Sequence, residues 1–270
     1  MSASSEQCRT LVLVGLAWCF GGCGEDEGGA GSMADRLALS TGPASTAQTA
    51  NWREPGIVAG AEAGSFALRD GRVSASLTRE GAVITGAGGA EGAWQLRWTP
   101  VGARGLAPRP EDELPGKVNH LTGDPSGWRT GLPHYGRLVY PDVVPGIALT
   151  VESRRHALAY RFDLSAGADP RAIRLRYAGA EDVVVEDHGR ALRVRTGGGS
   201  LRETGLSCFQ EDQGARRDVP CRYAVLARDD GAVEVGFDVG PFDRERSLVV
   251  DPVIGWSSYL GGSFGDTAHG

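Results

Sequence analysis

The sequence predicts an all-β protein: an antiparallel β-sandwich-like domain with one long proline-rich loop. Three observations predict it. No segment between Trp52 and Gly270 sustains a helical hydrophobic period with caps. Short runs of alternating apolar and polar residues recur instead, and they end at glycine-containing turns. Glycine is also abundant, at 41 of 270 residues and about twice its average share, with no collagen-like repeat.

The elements follow in order. Residues 66–68 lead into Asp70-Gly71, and 73–77 into Glu80-Gly81. Residues 83–85 enter the glycine-rich turn 86–92, and 94–98 leave it. Trp94 and Trp98 are an even number of residues apart, so they share one strand face and read as core. Residues 183–186 meet His188-Gly189 before 192–195, and Val225-Leu226 meet Asp230-Gly231 before 233–239. Asp-Gly and its relatives mark hairpins because such turns need positive φ at their centre. Arginines alternate with apolar residues in Arg174-Leu175-Arg176 and Arg193-Val194-Arg195, which puts them on the solvent face of strands.

The stretch 108–145 differs. It is rich in proline and carries Trp128, His134, Tyr135 and Tyr140 among turns. It reads as a long ordered loop with one strand near 138–140. Ordered loops often carry function, so Trp128, His134 and Tyr135 are the candidate ligand-contacting residues.

Five cysteines divide among three roles. Cys8 and Cys19 lie in an N-terminal segment whose apolar run, residues 11–20, is long enough for a signal peptide and too short to span a bilayer. Gly21-Gly22-Cys23 then resembles a lipoprotein signal-peptidase box, which predicts residues 1–22 as leader and Cys23 as the lipidated residue. An ordinary signal peptide cleaved nearby, or an uncleaved anchor, is the alternative. Residues 23–50 are acidic and glycine-rich at first and remain polar, as in a flexible tether. Cys208 and Cys221 flank a turn signal centred midway between them at 213–216, so a hairpin would set them opposite each other. An exported chain meets an oxidising compartment, and a disulfide is expected there, the alternative being two reduced thiols.

Net charge is −6, and removing residues 1–22 takes away one Glu and one Arg, leaving it unchanged. Acidic residues are interspersed among the arginines, which together with export argues against a nucleic-acid partner. The expected partners are a membrane, through the lipid anchor, and surface glycans or envelope proteins. The expected location is the outer membrane or cell surface of a bacterium.

Several phrases carry a resemblance: ELPGKVN at 113–119, WRT at 128–130, YPDVVPGI at 140–147, GADP at 167–170, IRL at 173–175, LVVDP at 248–252 and WSSYLGGS at 256–263. Together they resemble the uncharacterised β domain that precedes SBBP (seven-bladed β-propeller) repeats in large bacterial exported proteins. The resemblance implies an extracytoplasmic β module at 51–253, with 254–270 as the truncated opening of a propeller repeat. It supplies no catalytic residues. Ala148 and Arg161 stand where the family pattern leads one to expect acidic residues, and Cys208 and Cys221 where apolar or small residues are usual, so the disulfide is a local addition.

Little in the sequence has the pattern of a reactive site. Gly261-Gly262-Ser263-Phe264-Gly265 matches a nucleophile elbow, but Asp266 and His269 follow too closely to fold back as a triad. The histidines at 120, 134, 156, 188 and 269 have no zinc-site spacing, although His120 and His134 flank the loop with Trp128. His188 lies in a turn and reads as solvated. The glycines at 86–92 lack the Lys-Ser/Thr of a phosphate loop, and Asp229-Asp230-Gly231 lacks the spaced oxygen ligands of a calcium loop. No catalytic residue, metal or cofactor is therefore expected. The function expected is a non-catalytic, envelope-anchored scaffold or adhesion module. A carbohydrate-binding module or glycosidase-like enzyme using 108–145 is the alternative.

Overall fold

The computed structural model describes residues 56–257, apart from 61, 71–72, 87–91, 104, 106, 122–123, 155–156, 213 and 230. The expected leader, the Cys23 anchor, the tether and residues 258–270 lie outside the described residues, as do Trp52, His156 and His269.

The described chain is built of strands, and three short 3₁₀ turns are its only helical pieces. The strands are β1 Ile57–Ala59, β2 Phe66–Asp70, β3 Val73–Thr78, β4 Gly81–Gly86, β5 Trp94–Pro100, β6 Arg109–Glu113, β7 Val118–His120, β8 Arg129–Leu132, β9 His134–Val144 and β10 Ile147–Arg154. They continue with β11 Ala157–Leu164, β12 Leu175–Ala178, β13 Asp182–Glu186, β14 Ala191–Thr196, β15 Gly199–Asp212, β16 Ala215–Val219, β17 Cys221–Asp229, β18 Ala232–Val239 and β19 Leu248–Ser257. The all-β antiparallel class is as the sequence predicts, since every described pairing is antiparallel.

The pairings define two sheets that meet at β9. Arg137 of β9 faces Glu152 of β10 and Glu111 of β6, so those strands occupy opposite edges of β9. Tyr135 faces Ile57 of β1 and Glu113 of β6, so β1 takes up the β10 edge where β10 leaves it. One sheet then runs β6-β9-β10-β11-β19-β15-β14-β13. The other runs from β9 through β1-β2-β3-β4-β5-β12-β18-β17. The fork closes the sandwich along one side. At the far side the described ladders do not join β13 to β17. Side chains bridge the gap: Arg228 Nη2 donates to the Val183 carbonyl at 2.7 Å.

Alternation explains the core. Leu158, Tyr160, Phe162 and Leu164 of β11 are buried, while Arg161 and Asp163 pair at 3.1 Å on the outer face. Leu96 and Trp98 of β5, Leu175 and Tyr177 of β12, and Val250 and Ile254 of β19 meet them from the other strands. Burying each large side chain stabilises the fold by about 1.5–3 kcal/mol. Trp98 is buried as its parity predicts, whereas Trp94, at the strand's start, is half-buried against the core.

Two expectations are corrected. First, 108–145 is not mainly loop: it contains β6, β7, β8 and β9. Its prolines masked the strands. Pro110 sits on β6, which among the described residues pairs along one edge, with β9, and an edge strand tolerates a missing N–H. Pro141 and Asp142 (φ 53°) fall in the stretch of β9 where the register with β10 shifts. Second, Cys208 and Cys221 are bonded, with Cα atoms 6.0 Å apart, but they are not opposite each other in a hairpin. The β15–β16 hairpin pairs Asp212 with Ala215 and Cys208 with Val219, so its centre lies one residue earlier than expected. Cys221 comes after Pro220, as the first residue of β17, and the disulfide ties one sheet to the other. The last strand, β19, runs to Ser257 and pairs with β15.

Candidate functional site

The outer face of the second sheet carries an open groove. Ala67 and Arg69 of β2, Ser74 and Ser76 of β3, Val83 and Thr85 of β4 and Gln95 of β5 project outward by the period-2 rule and form a floor. The β7–β8 ribbon folds over it as a flap, contributing Val118, Asn119, His120, Leu121, Arg129 and Leu132. The groove between floor and flap has a volume of about 770 Å³, within the range of small-molecule sites.

Local bonds hold the flap. Arg129 Nη1 donates to the Ala59 carbonyl at 3.1 Å, pinning β8 to β1. Gly131 N donates to Asn119 Oδ1 at 2.9 Å across the ribbon. The 3₁₀ turn Pro125–Gly127 is capped by Asp124, whose Oδ1 accepts from Ser126 N at 2.8 Å and Ser126 Oγ at 2.6 Å. Those bonds hold the Asp124 carboxyl below its usual range. On the floor, Ser74 Oγ and Thr85 Oγ1 share a 2.7 Å hydrogen bond. The side chains of Arg69, Ser76, Gln95 and His120 are exposed. No carboxylate is among the described residues that line the groove.

The three candidate residues of 108–145 do not converge. Trp128 is 47% exposed on the flap beside Arg129. His134 is buried on β9, against Gly56, where an added Cβ would meet its ring at 2.3 Å. Tyr135 is half-buried and packs edge-on against Phe66, ring centroids 6.4 Å apart. His120 lines the groove and His134 does not, so the two histidines do not share it. Among the described residues no group of His, Cys, Asp and Glu is arranged to hold a metal ion. His188 lies exposed in the turn between β13 and β14, where Asp187, His188 and Gly189 all have positive φ.

A second constellation was not singled out by sequence reasoning. Glu203 of β15 is 1% exposed, in the middle of the sandwich. Tyr160 of β11 donates to its Oε2 and Tyr177 of β12 to its Oε1, each at 2.6 Å. Tyr223 of β17 donates to Oε2 at 3.3 Å, and Trp98 Nε1 donates to Tyr177 Oη at 3.3 Å. The carboxylate thus gathers strands of both sheets. Burial pushes its pKa up to about 6, and the three phenol bonds oppose that rise. Burial and the neighbouring carboxylate hold the phenols of Tyr160, Tyr177 and Tyr223 well above the usual tyrosine range, so they stay protonated donors. The groups are packed against one another, with Trp98 and Tyr160 rings 5.0 Å apart. This arrangement clamps the two sheets. The signal for it was present: Glu203 has the inward parity of Leu201, and the next inward residue along the strand is Leu206.

These features define an all-β sandwich with a flap-covered groove outside and a sealed polar clamp inside. The chain belongs to the family described as Domain of unknown function (DUF7948), whose model matches residues 58–253. No curated protein and no solved structure matches the chain.

Proposed function

We propose that this is a non-catalytic adhesion module of the bacterial envelope, exported and held by a lipid on Cys23, which binds a surface glycan in the groove beneath the β7–β8 flap. One observation carries the reading: the groove offers hydroxyl, amide and guanidinium groups from its floor, with Val118, Leu121 and Leu132 facing them from the flap, and no carboxylate among its described lining residues. A glycoside hydrolase works with a pair of carboxylates flanking the bond it cuts, and no such pair is among the described residues that line this groove. The buried Glu203 does not serve, because its oxygens are occupied by tyrosine hydroxyls within the core. The apolar run and Gly21-Gly22-Cys23 support export and lipidation, and the resemblance to domains preceding SBBP repeats supports a place in a larger surface assembly.

A glycan array probed with the full chain tests the binding. Saturable binding that Ser76→Trp abolishes, by filling the floor without touching the core, is the expected result. Binding that survives Ser76→Trp, or no binding to any glycan, overturns the reading. Fatty-acid labelling of the wild type against Cys23→Ser tests the anchor separately, and equal labelling removes it.

A further inference from the structure

We infer that the ligand of the groove is an acidic polysaccharide, a chain of sugars bearing carboxylates; this rests on the glycan-binding reading above. The inference comes from charge placement. The chain as a whole is acidic, with 34 Asp and Glu against 28 Lys and Arg. Elsewhere on the surface several arginines are matched, as Arg137 is with Glu111, Arg161 with Asp163, Arg176 with Asp229, Arg193 with Glu186 and Arg222 with Asp238. The groove is marked instead by its lining, which holds two arginines and, among the described residues, no carboxylate. Arg69 projects from its floor and makes no ion pair among the described residues. Arg129 spends one nitrogen on the Ala59 carbonyl, and His120 faces the groove from the flap. An acidic protein that places two guanidinium groups in one concavity, with no carboxylate among its described lining residues, has made a local field for an anion.

The rest of the lining favours a sugar over other anions. Ser76 and Gln95 present a hydroxyl and an amide on a flat strand surface, suited to exchanging hydrogen bonds with ring hydroxyls. Leu121 and Val118 supply apolar contact for a sugar face. A nucleic acid would need aromatic platforms and a longer run of cations, and no aromatic residue is among the described lining residues. The guanidinium fork of Arg69 matches a carboxylate in a bidentate manner, which sets orientation along the groove.

Calorimetry on the full chain tests this with three probes of equal length: an oligogalacturonate, its carboxyl-reduced neutral counterpart, and oligoglutamate. The oligogalacturonate should bind saturably, about tenfold or more tighter than the neutral sugar, since hydrogen bonds to charged groups are the stronger kind. Its affinity should fall as salt is raised from ~50 to ~300 mM. Arg69→Glu should lose about tenfold or more in affinity for the oligogalacturonate while leaving the neutral sugar unchanged. Arg69 is exposed on an outer strand face, so an unchanged melting temperature shows that the variant folds. Equal affinity for both sugars overturns the acidic ligand while leaving glycan binding standing. Tighter binding of oligoglutamate makes the partner an acidic peptide and overturns the inference. No binding of either sugar removes the groove as a glycan site altogether.

Discussion

Glu203 gives the sharpest test of the core. Its pKa stands at about 6 in the fold, against an ordinary value of 4.5. That shift, at ~1.4 kcal/mol per pH unit, corresponds to about 2 kcal/mol. The sign follows from proton counting. Between pH 4.5 and about 6 the folded protein holds a proton that the unfolded chain has released. Stability from this group is therefore fully present below 4.5 and is lost as pH rises through about 6. Replacing it with glutamine removes the titration and keeps the shape. Urea unfolding of wild type and Glu203→Gln, each at ~pH 7.5 and ~pH 4.5, isolates the effect from all other carboxylates. The variant should gain about 2 kcal/mol relative to wild type on going from the acidic to the neutral condition. A wild-type-to-variant difference that is the same at both pH values would refute the placement of an ionisable carboxylate in the sealed core.

Further outcomes follow from the same contacts. Tyr177→Phe removes a donor from Glu203 and the acceptor of the Trp98 indole, and should cost about 1–3 kcal/mol in urea titrations. Because that hydrogen bond lowers the Glu203 pKa, the variant's stability-against-pH curve should also shift to higher pH. Cys208→Ser with Cys221→Ser should cost about 3 kcal/mol by the chain-entropy account for a loop of this length, and mass mapping without reductant should show the cross-linked peptide in wild type. Gly189→Ala places a Cβ 2.6 Å from that of Arg222 at a φ of +92°, and should lower the melting temperature by an amount matching about 1–3 kcal/mol of strain.

Local chemistry was legible in the sequence where short-range rules decide the outcome. Asp70-Gly71, Glu80-Gly81 and Asp230-Gly231 mark hairpins because adjacent strands need only a turn to pair. Trp98 was readable from its parity alone. Other features depend on long-range pairing. The groove assembles residues from β1 to β5 with others from β7 and β8, and no spacing rule links Arg69 to Arg129. The strands of 108–145 were hidden because a proline counts against a strand unless its neighbours are known to leave that edge unpaired or bulged. The Cys208–Cys221 bond was foreseen, yet its path was not: a one-residue shift of the turn made Val219 the true partner of Cys208. Glu203 lies between these cases. Its parity is plain, but only the fold brings three tyrosines from β11, β12 and β17 to meet it.

The position of β19 has a mechanical consequence. It is held along both edges, by β11 from Ala157 to Leu164 and by β15 from Ser200 to Phe209. Tension applied along that strand would load two rows of bonds together, in shear, where an outermost strand would unzip one bond at a time. A module that gripped a surface at its groove could pass a pulling force through this strand before the sandwich yielded.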